Sequence, residues 1–166
     1  MFSCGPSNPE QEISAGTATD EKKANTSVEH AESYNQDLSY ESEGATIFNL
    51  TDTLKADFNG LGKLDYAVFI KEIETSGIVI THGESNEKTK IGFGKPFAHL
   101  PQFNWVDYWG IVNDSITYEI VIEDAEIIGD REVKLDDTSI VVRKEELGGG
   151  LITFKEGEYI WIHQAD

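Results

Sequence analysis

Asp57-Phe58-Asn59-Gly60-Leu61-Gly62-Lys63-Leu64-Asp65 runs without a break into Tyr66-Ala67-Val68-Phe69-Ile70. The first part reads as a turn. Glycines at 60 and 62 permit positive φ, and Asp57, Asn59 and Asp65 carry short side-chain oxygens. The second part reads as a strand, with Leu64, Tyr66, Val68 and Ile70 on one face and Asp65, Ala67 and Phe69 on the other. Working outward, Ser76-Gly77 turns the chain and residues 77–81 return as a second strand. His82-Gly83 ends that strand, and a polar loop over 84–87 leads to a third over 88–93. An oxygen-rich turn feeding a meander of strands sets the fold class.

The same punctuation continues to the carboxyl end. Residues 118–122, 126–128, 133–135 and 139–144 have β-branched or aromatic content with acids at alternating positions. Residues 151–155 and 159–164 flank Glu156-Gly157-Glu158, a connection short enough for a tight hairpin. Around Trp105 and Trp109 the pattern suits helix, strand or loop equally, because Asn104, Gly110 and β-branched neighbours weaken a helix. The expectation is an all-β domain over 46–166. It has about eight to ten short antiparallel strands, arranged as a sandwich or as a propeller-blade-like meander.

Residues 1–45 differ in kind. Gly, Ser, Asn, Thr, Glu and Ala dominate, and nine acids stand against Lys22 and Lys23, the composition of a disordered acidic tether. Phe2-Ser3-Cys4-Gly5 resembles the end of a bacterial lipoprotein signal peptide, which implies lipidation at Cys4 and a place in the cell envelope. An ordinary exposed cysteine in a frayed terminus is the competing reading. Cys4 is the single cysteine, so an intrachain disulfide and a cysteine-based zinc or iron–sulfur site are excluded. No run of eighteen apolar residues provides a transmembrane helix, leaving a lipid anchor as the only expected membrane attachment. Thirteen basic residues against thirty-one acidic ones give a net charge of −18, which repels phosphate backbones and argues against a nucleic-acid partner.

Residues 53–97 resemble a single degenerate FG-GAP or VCBS-type repeat. The core of that repeat is D-x-N-G-D-G-x-x-D followed by a strand, a returning strand and a glycine-phenylalanine tail, here Gly92-Phe93-Gly94-Lys95-Pro96-Phe97. The resemblance implies a four-stranded unit with Ca²⁺ in its glycine-rich loop. Asp57, Asn59 and Asp65 would supply side-chain oxygens and Lys63 its backbone carbonyl. Leu61 stands where the family has an aspartate, which removes one charged ligand. The competing reading is a structural turn in which Asp57 and Asn59 bond their own backbone and Asp65 steadies the loop. One recognisable repeat in about 120 residues excludes a complete propeller. The region ending in Gly-Gly-Gly-Leu-Ile-Thr-Phe and Tyr-Ile-Trp-Ile-His-Gln is also similar to secreted or lipoprotein domains of Bacteroidetes-type bacteria, which implies a location but no activity.

Elsewhere chemistry is sparse. Eight carboxylates between Glu119 and Asp137 face only Arg131 and Lys134. Paired carboxylates serve glycoside hydrolysis, but their alternation with Ile and Val suits a solvated strand face. His82, His99 and His163 lack metal-ligand spacing, and no serine sits in a nucleophile motif. Trp105, Asp107 and Trp109 form the better candidate for an exposed aromatic ligand site, while Trp161 in its hairpin suits partial burial. The expected function is therefore a non-enzymatic, envelope-associated binding or structural domain that engages an unknown protein or glycan, with Ca²⁺ as the one implied cofactor. A carbohydrate-active enzyme and a soluble acidic inhibitor or immunity-type protein are the alternatives.

Overall fold

The computed structural model describes residues 45–145 and 148–165. The expected acidic tether and its lipidated Cys4 therefore lie outside the described residues. Eleven strands and no helix are present among those described. In chain order they are β1 (Thr46–Phe48), β2 (Thr53–Ala56), β3 (Asp65–Lys71), β4 (Ser76–Thr81), β5 (Lys88–Gly92), β6 (Tyr108–Val112), β7 (Ile116–Glu123), β8 (Glu126–Lys134), β9 (Ser139–Lys144), β10 (Gly148–Lys155) and β11 (Glu158–Ala165). Their neighbours form a five-stranded sheet β1-β6-β9-β10-β11, a four-stranded meander β2-β3-β4-β5 and a two-stranded ribbon β7-β8. Every pairing is antiparallel.

The meander packs on one face of the five-stranded sheet. Leu54, Ala67, Ile78, Ile80 and Ile91 of the meander share a core with Trp109, Ile111, Ile140, Val142, Ile152 and Tyr159 of the larger sheet, and Phe58, Phe103 and Val106 close it. The opposite face of the larger sheet is also covered. There Val112, Val141, Leu151 and Ile162 meet Leu135 and the half-buried Val133 at the base of the β7–β8 ribbon. A strand apolar toward both faces loses its period-two alternation, which is why Ser-Ile-Val-Val-Arg in β9 is buried throughout.

The all-β expectation holds, with the strand boundaries redrawn. The stretch 126–128 and the start of 133–135 join through Gly129 to Glu132 into the single strand β8, which ends at Lys134. The ambiguous segment around Trp109 supplies β6, a central strand of the larger sheet. Within the carboxyl-terminal hairpin, Lys155 pairs with Glu158 around Glu156 and Gly157, both at positive φ (52° and 93°). That geometry matches the two-residue turn the right-handed strand twist favours.

Candidate functional site

The turn between β2 and β3 is held by its own polar side chains. Asp57 accepts from the Leu61 N–H through Oδ1 (3.1 Å) and from the Gly62 N–H through Oδ2 (2.6 Å). Asn59 Oδ1 also accepts from the Leu61 N–H at 3.2 Å. Gly60 and Gly62 sit at φ 69° and 76°, which lets the backbone N–H groups converge on Asp57. Asp65 is fully buried. Its Oδ2 accepts from the Phe58 N–H (3.0 Å) and its Oδ1 from the Gly83 N–H (2.8 Å), tying the turn to the β4–β5 connection. The Asn59 amide donates to His82 Nδ1 (2.9 Å), and His82 Nε2 meets Thr89 Oγ1 (3.1 Å).

All four carboxylate oxygens of Asp57 and Asp65 thus receive backbone N–H groups. Lys63 and Leu61 are exposed, and no carboxylate stands at position 61 to complete an oxygen cage. Among the described residues no group of three His, Cys, Asp or Glu side chains is arranged to hold an ion. The Asp57, Asn59, Lys63 and Asp65 set on its own does not fit the six to eight oxygens that Ca²⁺ takes.

A second acidic element comes to the turn from far along the chain. Residues 135–138, between β8 and β9, place Asp137 over Gly60. Asp57, Asp114, Asp136 and Asp137 together line a cleft of about 320 Å³ with Asn113, Ser115, Leu135 and Thr138. No basic or aromatic side chain lines it. Burial, then the charges of Asp57 and Asp136, push the Asp137 carboxyl above the ordinary aspartate range. Beneath the turn, Tyr159 stacks on His82 with ring centroids 6.0 Å apart, and its buried hydroxyl meets no hydrogen-bond partner among the described residues.

The expected aromatic site is not assembled. Trp109 is fully buried, donates its Nε1 to the Asn49 carbonyl (2.9 Å) and meets Phe69 edge-on at 5.9 Å. The expectation of an exposed Trp109 is therefore corrected: β6 is a central strand, and its side chain points into the inter-sheet core. Asp107 is exposed and caps the Glu145 N–H (3.2 Å). Trp105 is half-buried, donates to the Gln102 carbonyl (3.0 Å) and stands perpendicular to Trp161 at 6.4 Å. Trp161 in turn meets His99, which packs on His163. Trp161 and His163 share a face of β11, a period-two signal in the sequence by which this group could have been found. No protein-family model matches the chain, and no curated protein or solved structure matches it.

Proposed function

We propose that this chain is a non-enzymatic binding domain of a bacterial envelope, carried on an acidic tether anchored at Cys4. In this reading the cleft between the glycine turn and residues 135–138 attracts cations and takes Ca²⁺ weakly. The observation that carries it is the convergence of four aspartates on one cleft without a basic side chain among its lining. Carboxylates crowded in this way lower the local potential and gather positive charge. Affinity stays low because no three of these carboxylates are arranged to close on one ion and Asp57 already serves two backbone amides, leaving an ion too few free protein oxygens. The four-stranded meander β2-β3-β4-β5 supports the likeness to an FG-GAP or VCBS-type unit, although that likeness rests on sequence.

Calorimetric titration with Ca²⁺ tests this reading. Binding in the millimolar range that Asp137→Asn abolishes supports it, and absence of heat at millimolar metal removes the cation from the proposal. A second reading, a carbohydrate-active enzyme, is favoured by one specific feature. Asp137 holds its proton more tightly than an ordinary aspartate and stands in a cleft beside Asp57, and a carboxyl kept protonated is what acid-assisted glycoside hydrolysis needs. Against it, no aromatic ring lines the cleft to stack a sugar. Hydrolysis of aryl glycosides that is lost in Asp137→Asn would bring the enzymatic reading forward.

A further inference from the structure

Among the described residues, the hydrogen bonds that tie the β7–β8 ribbon to the rest of the fold lie at its base. There Gln164 of β11 donates to Thr117 Oγ1 (2.7 Å), the Leu135 N–H donates to the Ser115 carbonyl (3.0 Å), and Val133 packs on the second core cluster. Beyond Thr117 the two strands hold each other, through their ladder and the Arg131–Glu119 ion pair (2.7 Å). A two-stranded hairpin without further cover is marginal in water, yet this one extends for eight and nine residues.

Its two faces differ. Ile116, Tyr118, Ile120 and Ile122 occupy alternate positions of β7 and so share one face, and Ile127 lies directly across from Ile122. Ile116, Ile122 and Ile127 are 53%, 47% and 56% exposed, and Tyr118 and Ile120 are half-buried. Beside this row stand Asp130 and Glu132, the cross-strand partners of Ile120 and Tyr118, while Lys134, across from Ile116 at the base, is paired with Asp136 (3.6 Å). At the tip, Glu123, Asp124 and Glu126 add three more carboxylates, all exposed. An apolar row exposed at both ends and half-exposed between them, with a charged rim, is what an interaction surface presents.

Charge selects the occupant. A second copy of the chain would set the same acids against each other, residues 1–45 carry nine acids against two lysines, and an anionic membrane surface is repelled by a net charge of −18. We propose that the β7–β8 hairpin is a docking arm for a basic protein segment, whose apolar side chains cover the isoleucine row while its lysines or arginines meet Asp130, Glu132 and the tip carboxylates. An extended segment with alternating apolar and basic residues lays its apolar side chains on the row, and its long lysine or arginine stems reach around its edge to the carboxylates beside the row and at the tip. The isoleucine row lies beyond the aspartate cleft, with which the arm shares Ser115 and Leu135 at its base, and the proposal invokes no ion bound there.

The test uses the full chain and three fluorescein-labelled peptides matched to the nine residues of β8. One alternates Lys and Val, one Lys and Ser, and one Glu and Val. Fluorescence anisotropy is expected to show the Lys-Val peptide binding about tenfold or more tighter than Lys-Ser, with Glu-Val not binding. The double variant Ile122→Ser, Ile127→Ser should weaken Lys-Val about tenfold and leave Lys-Ser unchanged. Asp130→Lys with Glu132→Lys should transfer the preference to Glu-Val. Hydrogen exchange over 116–134 should slow when Lys-Val is bound. Any of four results overturns the proposal: no binding of Lys-Val, equal binding of Lys-Val and Lys-Ser, binding indifferent to both variants, or a dimer in sedimentation that the isoleucine variant converts to monomer. The last would assign the row to a second copy.

Discussion

The Asp137 carboxylate lies directly on Gly60, so that a Cβ added at Gly60 would stand 2.7 Å from Asp137 Cγ. Two segments distant in sequence are packed backbone to side chain at this point, and the aspartate cleft exists because glycine leaves room for it. Gly60 also sits at φ 69°, a region that an L side chain enters at a cost of about 1 kcal/mol.

Gly60→Ala is therefore expected to destabilise by about 1–2 kcal/mol, the sum of backbone strain and displacement of Asp137. Gly62, at φ 76° with open space around it, isolates the strain alone, and Gly62→Ala should cost about 1 kcal/mol. Urea unfolding of the two variants, each combined with Asp137→Ala, separates the contributions. Asp137→Ala should recover part of the loss at Gly60 and none at Gly62.

Asp137 itself should oppose folding at neutral pH. Its folded-state carboxyl titrates above the ordinary aspartate value because of burial and then of Asp57 and Asp136. A raised carboxyl favours the folded state most when protonated, so this contribution is full below the unfolded aspartate pKa of about 3.9. It is lost as pH rises through the folded value. Asp137→Asn should consequently raise the melting temperature at pH 7 and leave it nearly unchanged at pH 3. The gain is about 0.5 kcal/mol at most, since solvent and salt screen the pair. A gain that persists at pH 3 would assign the effect to packing instead.

Legibility followed burial. Strands β3, β4, β5, β9, β10 and β11 were readable because each combines an apolar run with a glycine or polar break. β1 and β2, with three and four residues, are too short to display a period. β6 was ambiguous because Trp109, Ile111 and Val112 are buried toward both faces of one sheet. β8 was split because both of its faces meet solvent, so no apolar alternation marks its middle. The glycine turn was legible as local chemistry: Asp57 and Asn59 bond the backbone two to five residues on. The approach of Asp137 to that turn was not, because pairing of distant loops leaves no periodic trace in a single sequence.

Asp65 tests whether the turn is structural. Its carboxylate is the buried acceptor for the Phe58 and Gly83 amides, and its removal strands two donors away from water. Asp65→Ala should cost about 3 kcal/mol. Asp65→Asn should not rescue it, since the amide –NH2 would face one of the two N–H groups. Denaturant midpoints measured in chelator and in millimolar Ca²⁺ are expected to fall equally. A loss confined to the Ca²⁺ sample would make Asp65 a metal ligand.

Tyr159 offers a substitution that should strengthen the protein. It is 9% exposed, wedged between His82 and Phe154, and its hydroxyl has no hydrogen-bond partner among the described residues. Burial first, then the charges of Asp65, Asp57 and Asp137, push its ionisation well above the usual tyrosine range. Tyr159→Phe removes a buried polar group that gains nothing in the fold while keeping the ring contacts, and should stabilise by about 1 kcal/mol at pH 7. The alkaline limb carries a second signature. An unfolded tyrosine titrates near about 10, so the wild type loses stability as pH rises above that value while Tyr159 stays protonated in the folded state. The Phe variant lacks that loss, and its unfolding midpoint at pH 11 should move further from wild type than at pH 7. Urea titrations at the two pH values read both effects. A variant less stable than wild type at pH 7 would overturn the reading of the hydroxyl as a buried group that gains nothing in the fold.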